Sequence, residues 1–384
     1  MRVLQIVNLG FEAGGAEKSV RLIADGLTDR GHHVHVIATD LLAAGRDDVF
    51  AGELVPHVTG GPLRRLLGYF WHRPAYRQVR RAVRDFRPDV VHLHTIGEFS
   101  PAVPAATRGV PRVLTVHGPE DWTLNLLRWN LPSAVRGGRL SAADRARYCY
   151  LRFLQRPAYL PWIRRLDLVL APSRYFADAV RPDTGRVPVA VLPNGITRDA
   201  VPLPVTAPDR VVFAGRLEPV KGVHVLLAAF RRVLAVHPGA RLTVVGDGSD
   251  RPRLEAAAAD LPGVEFRGWV GPAEVRDCLR DAAVVALPSL WPENFPTVAL
   301  EALQLGRPLL ASRVGGLPEL VGDDNGLLVP PGDTAALADA LTGLLGDQER
   351  LRRLGEGSAA RAGRYDAGVF LDALEAHYGK VAGR

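Results

Sequence analysis

Short apolar runs alternate with segments of helical spacing along most of the chain, and this alternation restricts the fold more than any other feature. Each run is rich in β-branched residues and ends in small or polar residues, as in VLQIV, HVHVIATD, DVVHLHT and PRVLTVHG. Strands that alternate with helices form parallel sheets, because each helix returns the chain to the edge where the previous strand began. The sequence therefore predicts an α/β protein.

A Pro-rich stretch, RDAVPLPVTAPDR, interrupts the alternation near the middle of the chain. Pro-rich segments form extended spacers, and a second alternating series begins at Val211. The last segment, YDAGVFLDALEAHYGKVA, has the spacing of an amphipathic helix. We therefore predict a first domain over 1–195, a linker over 196–208, a second domain over 209–365 and a terminal helix over 366–384.

Composition excludes several other classes of protein. The hydrophobic content of 47% and the charged content of 23% are those of a water-soluble globular chain. Two cysteines, Cys149 and Cys278, cannot build a disulfide framework or a zinc site at their spacing, and they fit a reducing cytosol. The first apolar run is too short for a signal peptide, and no stretch approaches the ~20 apolar residues of a membrane span. We expect a cytoplasmic protein.

Residues suited to ligand binding follow the predicted strands: Gly14 and Gly15, His117, Gly215 to Lys221, and Glu293. Open parallel sheets bind ligands beyond the carboxyl ends of their strands. With two α/β domains, we expect the ligand in the cleft between them.

Two glutamates flank a predicted helix start in WPENFPTVALEALQL. Pro296 precedes the apolar spacing of the helix, and proline is favoured in a first helical turn. Glu293 then lies in the loop before the helix, and Glu301 lies one to two turns inside it. Because the free N–H groups and the dipole of a helix start attract anions, the arrangement suits a diphosphate with hydroxyl-rich sugars at both ends. A nucleotide sugar has this structure, and the Glu301 carboxylate matches the vicinal diol of its ribose.

A second motif, GRLEPVKG, follows the predicted strand VVFA and contains Arg216 and Lys221. Two fixed cations suit a diphosphate leaving group, whose negative charge grows as the glycosidic bond breaks. Two exposed basic residues on a loop would be the alternative, and the downstream glutamates favour the ligand-binding interpretation.

The glutamate pair, followed by RPLLAS and GGLPELV, resembles the signature of the family-4 retaining glycosyltransferases, also called glycosyl transferases group 1. GGAE with LIADGLTDRGHHVHVI resembles the opening of the same enzymes. The resemblance covers nearly the whole chain and is weakest between Gly118 and Leu166. It implies the GT-B fold, in which two Rossmann-like domains with parallel sheets face each other and a C-terminal helix crosses back to the first domain.

The resemblance also implies roles for particular residues. Arg216 and Lys221 would hold the pyrophosphate, the Gly14–Gly15 loop would lie beside the donor phosphates, and His117 would contact the donor sugar near the reacting carbon. The predicted catalytic residues are Glu293, His117, Arg216 and Lys221. The predicted donor-binding residues are Gly14, Gly15, Arg216, Lys221, Asn294, Phe295, Thr297, Val298 and Glu301.

One departure from the family pattern affects the sugar site. Family members carry Glu-Gly-Phe-Gly around the first glutamate, whereas this chain has Asn294 and Pro296 in place of the glycines. Pro296 has no N–H to donate, so the N–H groups of Phe295 and Thr297 would have to suffice. This departure affects the prediction of which sugar is transferred more than the prediction of the reaction class.

We predict transfer without a metal ion and without a cofactor, because no Asp-x-Asp triplet occurs and the two cations can supply the positive charge. His92 and His94 share one face of a strand end, so His94 is expected to line the cleft; no third ligand accompanies them for a metal. Gly315 and Gly316 are expected to shape a structural turn.

A basic surface is predicted on the first domain. Residues 64–87 contain eight arginines and one acidic residue, interleaved with aromatic residues, and a second basic, aromatic region runs from Arg128 to Arg165. Such segments can lie on anionic membranes. A solvated helix with an arginine bias is the alternative, and nucleic-acid binding is disfavoured because no recognised motif for it is present.

These features together predict a retaining transferase that moves a hexose-type sugar from a UDP- or GDP-sugar to a hydroxyl of a sugar, lipid-linked or small-molecule acceptor. Polysaccharide or glycolipid assembly is the first expectation, and tailoring of a small natural product is the second. A sugar-nucleotide epimerase of the same fold and a non-catalytic nucleotide-sugar-binding subunit are the alternatives. The sequence indicates no oligomeric state.

Overall fold

The structure of the protein is a computed structural model that describes residues 1–95, 99–120, 122–131, 133, 139–197, 202, 205 and 207–383. The chain divides into two compact units. The first unit is formed by Met1–Ala134, Arg139–Gly195 and Ala367–Arg384, and the second by Ile196–Asp366. The predicted linker over 196–208 lies in part on residues 198–201, 203–204 and 206, outside the described residues.

The first unit is built on a seven-stranded sheet in the order β3-β2-β1-β4-β5-β6-β7. All its strand pairs are parallel, as the alternation predicted. The strands are β1 (Arg2–Leu9), β2 (His33–Thr39), β3 (Glu53–Val55), β4 (Val90–Leu93), β5 (Arg112–Thr115), β6 (Leu168–Ala171) and β7 (Val189–Val191).

The helices described in this unit cover both faces of the sheet, so the central strands are buried on both sides. They are α1 (Gly15–Asp29), α2 (Pro62–Phe70), α3 (Arg73–Phe86), α4 (Ala102–Ala106), α5 (Ala142–Tyr150), α6 (Arg156–Ile163) and α7 (Arg174–Thr184), with the C-terminal helix α15 (Ala367–Val381).

The second unit has a six-stranded sheet in the order β10-β9-β8-β11-β12-β13, and its strand pairs are again parallel. Its strands are β8 (Arg210–Ala214), β9 (Arg241–Val245), β10 (Val264–Gly268), β11 (Val284–Leu287), β12 (Leu309–Ser312) and β13 (Gly326–Val329). Its helices are α8 (Val223–Val236), α9 (Arg251–Ala258), α10 (Pro272–Arg280), α11 (Thr297–Gln304), α12 (Leu317–Leu320), α13 (Thr334–Leu345) and α14 (Gln348–Ala362).

The C-terminal helix α15 packs on the first unit. Leu371, Leu374 and Tyr378 are buried in one core cluster with residues of α1 and of the central strands. Arg30, just after α1, also forms an ion pair with Asp372, 2.7 Å away. The last segment of the chain is therefore part of the first folded unit.

The strand orders show where each unit can bind a ligand. In both sheets the order of strands along the chain reverses at one point, between β1 and β4 in the first unit and between β8 and β11 in the second. Ligands of such sheets bind at this switch point, beyond the carboxyl ends of the strands. The predicted site residues lie in the loops after β1, β8 and β11, or in the helices α1 and α11 that follow two of these loops. His117, which follows β5, is the exception.

No helix in the described ranges has both the length and the apolar character that crossing a lipid bilayer requires.

Candidate functional site

The loop between β11 and α11 carries the first predicted glutamate. Helix α11 begins at Thr297 with Pro296 as its N-cap, so Glu293 lies in the loop and Glu301 lies in the second turn, as the spacing predicted. No side chain caps this helix start. Because the first N–H groups of a helix lack partners within it, the N–H groups of Thr297 and Val298 can bind an anion.

Glu293 is buried and ion-paired. Lys221 donates a hydrogen bond of 2.6 Å from Nζ to Oε1 of Glu293, and the hydroxyl of Ser289 donates one of 2.6 Å to the same oxygen. Burial by itself would raise the pKa of the Glu293 carboxyl, but the charge and hydrogen bond of Lys221, with the hydroxyl of Ser289, hold it below its ordinary value. Glu293 is therefore a buried carboxylate that stays ionised at neutral pH.

The loop after β8 brings Lys221 to this position. Gly222 has φ +71°, a conformation that favours glycine, and a Cβ at this residue would overlap the carbonyl oxygen of Pro288. The N–H of Leu290 donates to the carbonyl of Val220 at 2.7 Å. The loops after β8 and β11 thus pack backbone to backbone, because β8 and β11 are neighbours in the sheet.

Arg216 lies on the same loop, with an exposed side chain. The backbone on either side of it is held by the end of β9 and the loop that follows, since Gly215 donates to the carbonyl of Val245 at 3.0 Å and Leu217 donates to that of Asp247 at 2.9 Å. Its guanidinium forms no ion pair within the described ranges. Glu301 is partly buried in α11. The four predicted charged residues of the second unit thus follow β8 and β11, and the structure joins Lys221 to Glu293.

Gly315 and Gly316 hold the backbone of Glu293, a function that the sequence analysis did not predict. Gly315 has φ +61°, and a Cβ there would overlap the carbonyl oxygen of Glu293. The N–H of Gly316 donates a hydrogen bond of 2.7 Å to that oxygen. The turn is structural, as predicted, but its position against Glu293 depends on the pairing of β11 with β12, which the sequence pattern does not show.

In the first unit, Gly14 and Gly15 form the start of α1. Gly14 is the exposed N-cap in extended conformation, and no side chain caps the helix. A Cβ at Gly14 would meet only the carboxylate of Glu17, at 3.5 Å. The exposed N–H groups of this helix start suit an anion.

His117 follows β5 and is one of three neighbouring histidines. His94 lies 3.0 Å from it, between Nδ1 of His94 and Nε2 of His117. His92 lies 2.6 Å from the hydroxyl of Tyr378 and 2.7 Å from that of Thr115. Burial lowers the pKa of His92 to about 3 and that of His117 to about 4.

The prediction that His94 lines a ligand cleft is wrong, because His94 is fully buried beside His117. Burial also lowers its pKa well below the ordinary value. Strand β4 is covered on both faces, so alternation alone could not show which side chains reach the surface. Within the described ranges, no group of three or more histidine, cysteine, aspartate or glutamate side chains could hold a metal ion; metal-independent transfer stays a prediction.

Comparison with known proteins identifies the family. Residues 13–200 match the family Glycosyltransferase Family 4, and residues 208–347 match Glycosyl transferases group 1. A glycogen synthase of Mycobacterium tuberculosis is 30% identical over 366 residues, which cover 84% of this chain and 84% of that protein. The chain is a family-4 glycosyltransferase. The resemblance seen in the sequence motifs is thereby confirmed.

Other similar proteins cover the whole chain. A phosphatidyl-myo-inositol mannosyltransferase of Mycolicibacterium smegmatis is 29% identical over 395 residues, covering 100% of this glycosyltransferase and 95% of that protein. The structure of sucrose-phosphate synthase from Thermosynechococcus elongatus superposes with a TM-score of 0.76 at 20% identity, over 99% of each chain. Anabaena HepE in complex with UDP-glucose superposes with a TM-score of 0.72 at 20% identity, over 99% of this chain and 100% of HepE. The predicted GT-B fold is confirmed by these neighbours and by the two parallel sheets.

Proposed function

We propose that this family-4 glycosyltransferase transfers a hexose-type sugar from a UDP- or GDP-sugar to an acceptor hydroxyl, with retention of the anomeric configuration. The proposal depends on the ion pair between Glu293 and Lys221, which lies just before a helix start that no side chain caps. This loop pair combines a fixed negative charge, a fixed positive charge and N–H donors that have no partner within their helix.

The positive groups suit the departing diphosphate. Lys221 has three N–H donors, so it can keep its bond to Glu293 and still donate to a phosphate oxygen. Arg216 is exposed and unpaired within the described ranges, and its planar guanidinium can bind two phosphate oxygens at once. Together with the N–H groups of Thr297 and Val298, these donors would stabilise the charge that develops as the glycosidic bond breaks.

The ionised Glu293 suits the sugar at the other end of the breaking bond. Its carboxylate can accept hydrogen bonds from sugar hydroxyls, and its negative charge favours an oxocarbenium-like centre nearby. The acceptor oxygen would attack the face from which the diphosphate leaves, which retains the configuration. Glu301, whose two oxygens match a vicinal diol, would bind the ribose of the donor.

Similar proteins support a nucleotide-sugar donor and a glycan or glycolipid acceptor. The HepE structures contain UDP and UDP-glucose, and one relative is named for a phosphatidyl-myo-inositol acceptor. We propose the same donor class for this enzyme, and a polysaccharide or lipid-linked acceptor rather than a small natural product.

A donor screen tests the proposal. The enzyme is incubated with a panel of UDP- and GDP-sugars and with lipid or glycan acceptors, in buffer containing EDTA, and products are detected by mass spectrometry. We expect one nucleotide sugar to give a glycosylated product whose anomeric NMR coupling matches that of the donor. Inverted product, or transfer abolished by EDTA and restored by a divalent metal, would refute the mechanism. If the sugar changes when the donor is incubated alone, the protein is an epimerase. Tight donor binding without transfer to any acceptor would favour a binding subunit.

A membrane-facing surface on the first unit forms the second part of the proposal. The two basic, aromatic regions meet there, because the rings of Trp71 and Trp162 lie 6.4 Å apart and those of Phe70 and Tyr150 lie 6.3 Å apart. Residues 132 and 134–138 of the second region lie outside the described residues.

Both basic, aromatic regions also carry exposed apolar side chains. Leu67 is exposed in α2, three residues before Phe70, and Phe153 and Leu154 are exposed in a π-helical turn over Leu151–Gln155. Arg152 lies over the ring of Phe153, 5.3 Å from its centroid, and exposed apolar side chains next to arginines suit an anionic lipid surface. We propose that the enzyme contacts the inner face of the membrane here, where a lipid-linked acceptor would be presented.

Vesicle sedimentation tests the surface. We expect wild-type enzyme to bind phosphatidylglycerol vesicles and not phosphatidylcholine vesicles, and the Phe153→Ser/Leu154→Ser variant to bind several-fold less. Val369→Ser is the matched control, since Val369 is exposed on α15, outside both basic regions. Equal binding of all three proteins to the anionic vesicles would contradict the proposed surface.

A further inference from the structure

A chain of three polar side chains crosses the centre of the first unit, from β1 past the end of β4 to the end of β5. Oε1 of Gln5 lies 3.1 Å from Nε2 of His94. Nδ1 of His94 lies 3.0 Å from Nε2 of His117. The centroids of the His94 and His117 rings lie 5.3 Å apart, and the planes of the two rings are inclined by only 26°.

The chemistry of the first member sets the direction of the whole chain. A carbonyl oxygen only accepts, so Nε2 of His94 must carry the hydrogen that Gln5 receives. Burial lowers the pKa of both histidines, so each ring is neutral at pH 7 and has a single N–H. Nδ1 of His94 is therefore an acceptor, and Nε2 of His117 must donate to it.

The hydrogen on Nε2 of His117 also determines the protonation state of its other ring nitrogen, Nδ1. With its hydrogen on Nε2, Nδ1 of His117 presents a lone pair. Within the described ranges no side chain donates a hydrogen bond to this nitrogen, whereas part of the His117 side chain is exposed. Gln5 and His94, by contrast, are fully buried and can act only through His117.

We propose that Gln5 and His94 are positioning residues that hold His117 in the tautomer whose Nδ1 accepts a hydrogen bond, so that His117 recognises an O–H group such as a sugar hydroxyl. This inference rests on the proposed function for the identity of the ligand. The order of hydrogens along Gln5, His94 and His117 does not depend on it.

His92 is a neighbour but not a member of the chain. Its ring lies 4.0 Å from that of His94, centroid to centroid, yet both its nitrogens are bound elsewhere, to the hydroxyls of Thr115 and Tyr378. Thr115→Val therefore gives a matched control: it removes a buried hydroxyl from the same layer without touching the chain that ends at His117.

Nitrogen NMR of the ¹⁵N-histidine-labelled, unliganded enzyme tests the order of hydrogens directly. We expect His94 and His117 both in the Nε2–H form, with a scalar coupling between Nε2 of His117 and Nδ1 of His94 through the shared hydrogen. The Thr115→Val variant should show the same pattern, and His94→Leu should abolish the coupling and shift the Nε2 resonance of His117. Both rings in the Nδ1–H form would mean that the Gln5 amide points the other way, and would overturn the inference.

Kinetics test the consequence for transfer. His94→Leu removes the acceptor, and we expect kcat to fall roughly 10- to 100-fold with donor KM changed by less than about 3-fold, as for a misplaced catalytic group. His94→Asn places an amide oxygen where Nδ1 stood and should stay within about 3-fold of wild type, because His117 keeps its acceptor.

The outcomes separate this inference from the proposed function. Full activity of His94→Leu alongside a strong loss in His117→Ala would overturn the positioning role. Full activity of His117→Ala would instead refute the role of His117 in transfer, while the NMR pattern would still decide the tautomer. Should His94→Leu fail to fold, Gln5→Met removes the carbonyl that starts the chain, and an unchanged His94 spectrum in that variant would count against the inference.

Discussion

Lys221 and Glu293 form an ion pair with 2.6 Å between Nζ and Oε1, and both side chains are largely shielded from water. The pair joins the loop after β8 to the loop after β11. It leaves Glu293 ionised in a buried position, which burial alone would oppose. The catalytic and structural consequences of these two residues can therefore be separated by substituting them singly and together.

Removal of one partner should cost both stability and activity. Lys221→Met leaves an unpaired buried carboxylate, so we expect the free energy of unfolding to fall by about 3 kcal/mol and transfer to fall at least ~100-fold. Adding Glu293→Gln should restore most of the stability, because the buried charge is gone, but none of the activity. Denaturant titration and initial rates of the four proteins measure both effects.

An exposed ion pair supplies the control for that cycle. Arg231 and Asp260 pair on the surface of the second unit, with more than half of each side chain exposed. Arg231→Met should change stability by less than about 1 kcal/mol and leave transfer intact. If the Lys221→Met/Glu293→Gln protein is as unstable as Lys221→Met alone, the unpaired charge is not the cause of the loss.

The glycine turn behind Glu293 should be as sensitive as the glutamate itself. In Gly315→Ala the new Cβ must displace the Glu293 carbonyl, and φ of +61° is unfavourable for alanine. We expect kcat to fall about 10- to 100-fold through the displaced carboxylate. Gly343→Ala in α13 meets no neighbour within 4 Å and should stabilise the protein by about 0.5–1 kcal/mol. Equal, small effects of both substitutions on kcat would show that the turn does not position Glu293.

The buried histidines should make the first unit acid-sensitive. The folded-state pKa of His92 is about 3 and that of His117 about 4, both lowered by burial, whereas an unfolded chain titrates near the ordinary value of about 6.5. The unfolded state therefore binds more protons below about pH 6.5, and stability falls as pH falls from there toward the folded pKa values. Each histidine that is neutral in the folded state lowers the free energy of unfolding by up to ~1.4 kcal/mol per pH unit in this window.

Denaturant unfolding between about pH 7.5 and 5, above the ordinary carboxylate range, measures this effect. We expect a steady loss of stability below about pH 6.5. In His92→Gln the free energy of unfolding should change less steeply with pH, because about one proton fewer is bound on unfolding. An unchanged slope in that variant would show that His92 is not the group that binds protons on unfolding.

The alternation of apolar runs with helical segments was enough to predict the parallel sheets and the strand ends that carry the site. The start of α11 was predicted to within one residue, because Pro296 limits where a helix can begin. The contact of Lys221 with Glu293 was not predicted, since it depends on β8 lying beside β11 as well as beside β9, the next strand along the chain. Periodicity contains no information about strand order.

The histidine chain was missed for a different reason. The sequence marks His94 and His117 as separate residues at two strand ends, whereas Gln5 lies inside an apolar strand run and no neighbouring residue distinguishes it. Only the register of β1 against β4, which pairs Gln5 with His92, brings the Gln5 amide near the His94 ring.

Strand β3 was not predicted, because its three residues are too few to produce a recognisable pattern.

The C-terminal helix should report on the same region through Tyr378. Its hydroxyl lies 2.6 Å from Nδ1 of His92 and is fully buried. Tyr378→Phe keeps the ring but leaves this nitrogen without a partner, so we expect a loss of about 1–3 kcal/mol in the stability of the first unit. Tyr175→Phe, at an exposed tyrosine of α7, should change stability by less than about 0.5 kcal/mol. Because His92 is outside the chain from Gln5 to His117, Tyr378→Phe should leave kcat near the wild-type value at a temperature where both proteins are folded. A large fall in kcat under those conditions would show that α15 acts on the histidines of the site as well as on the stability of the unit.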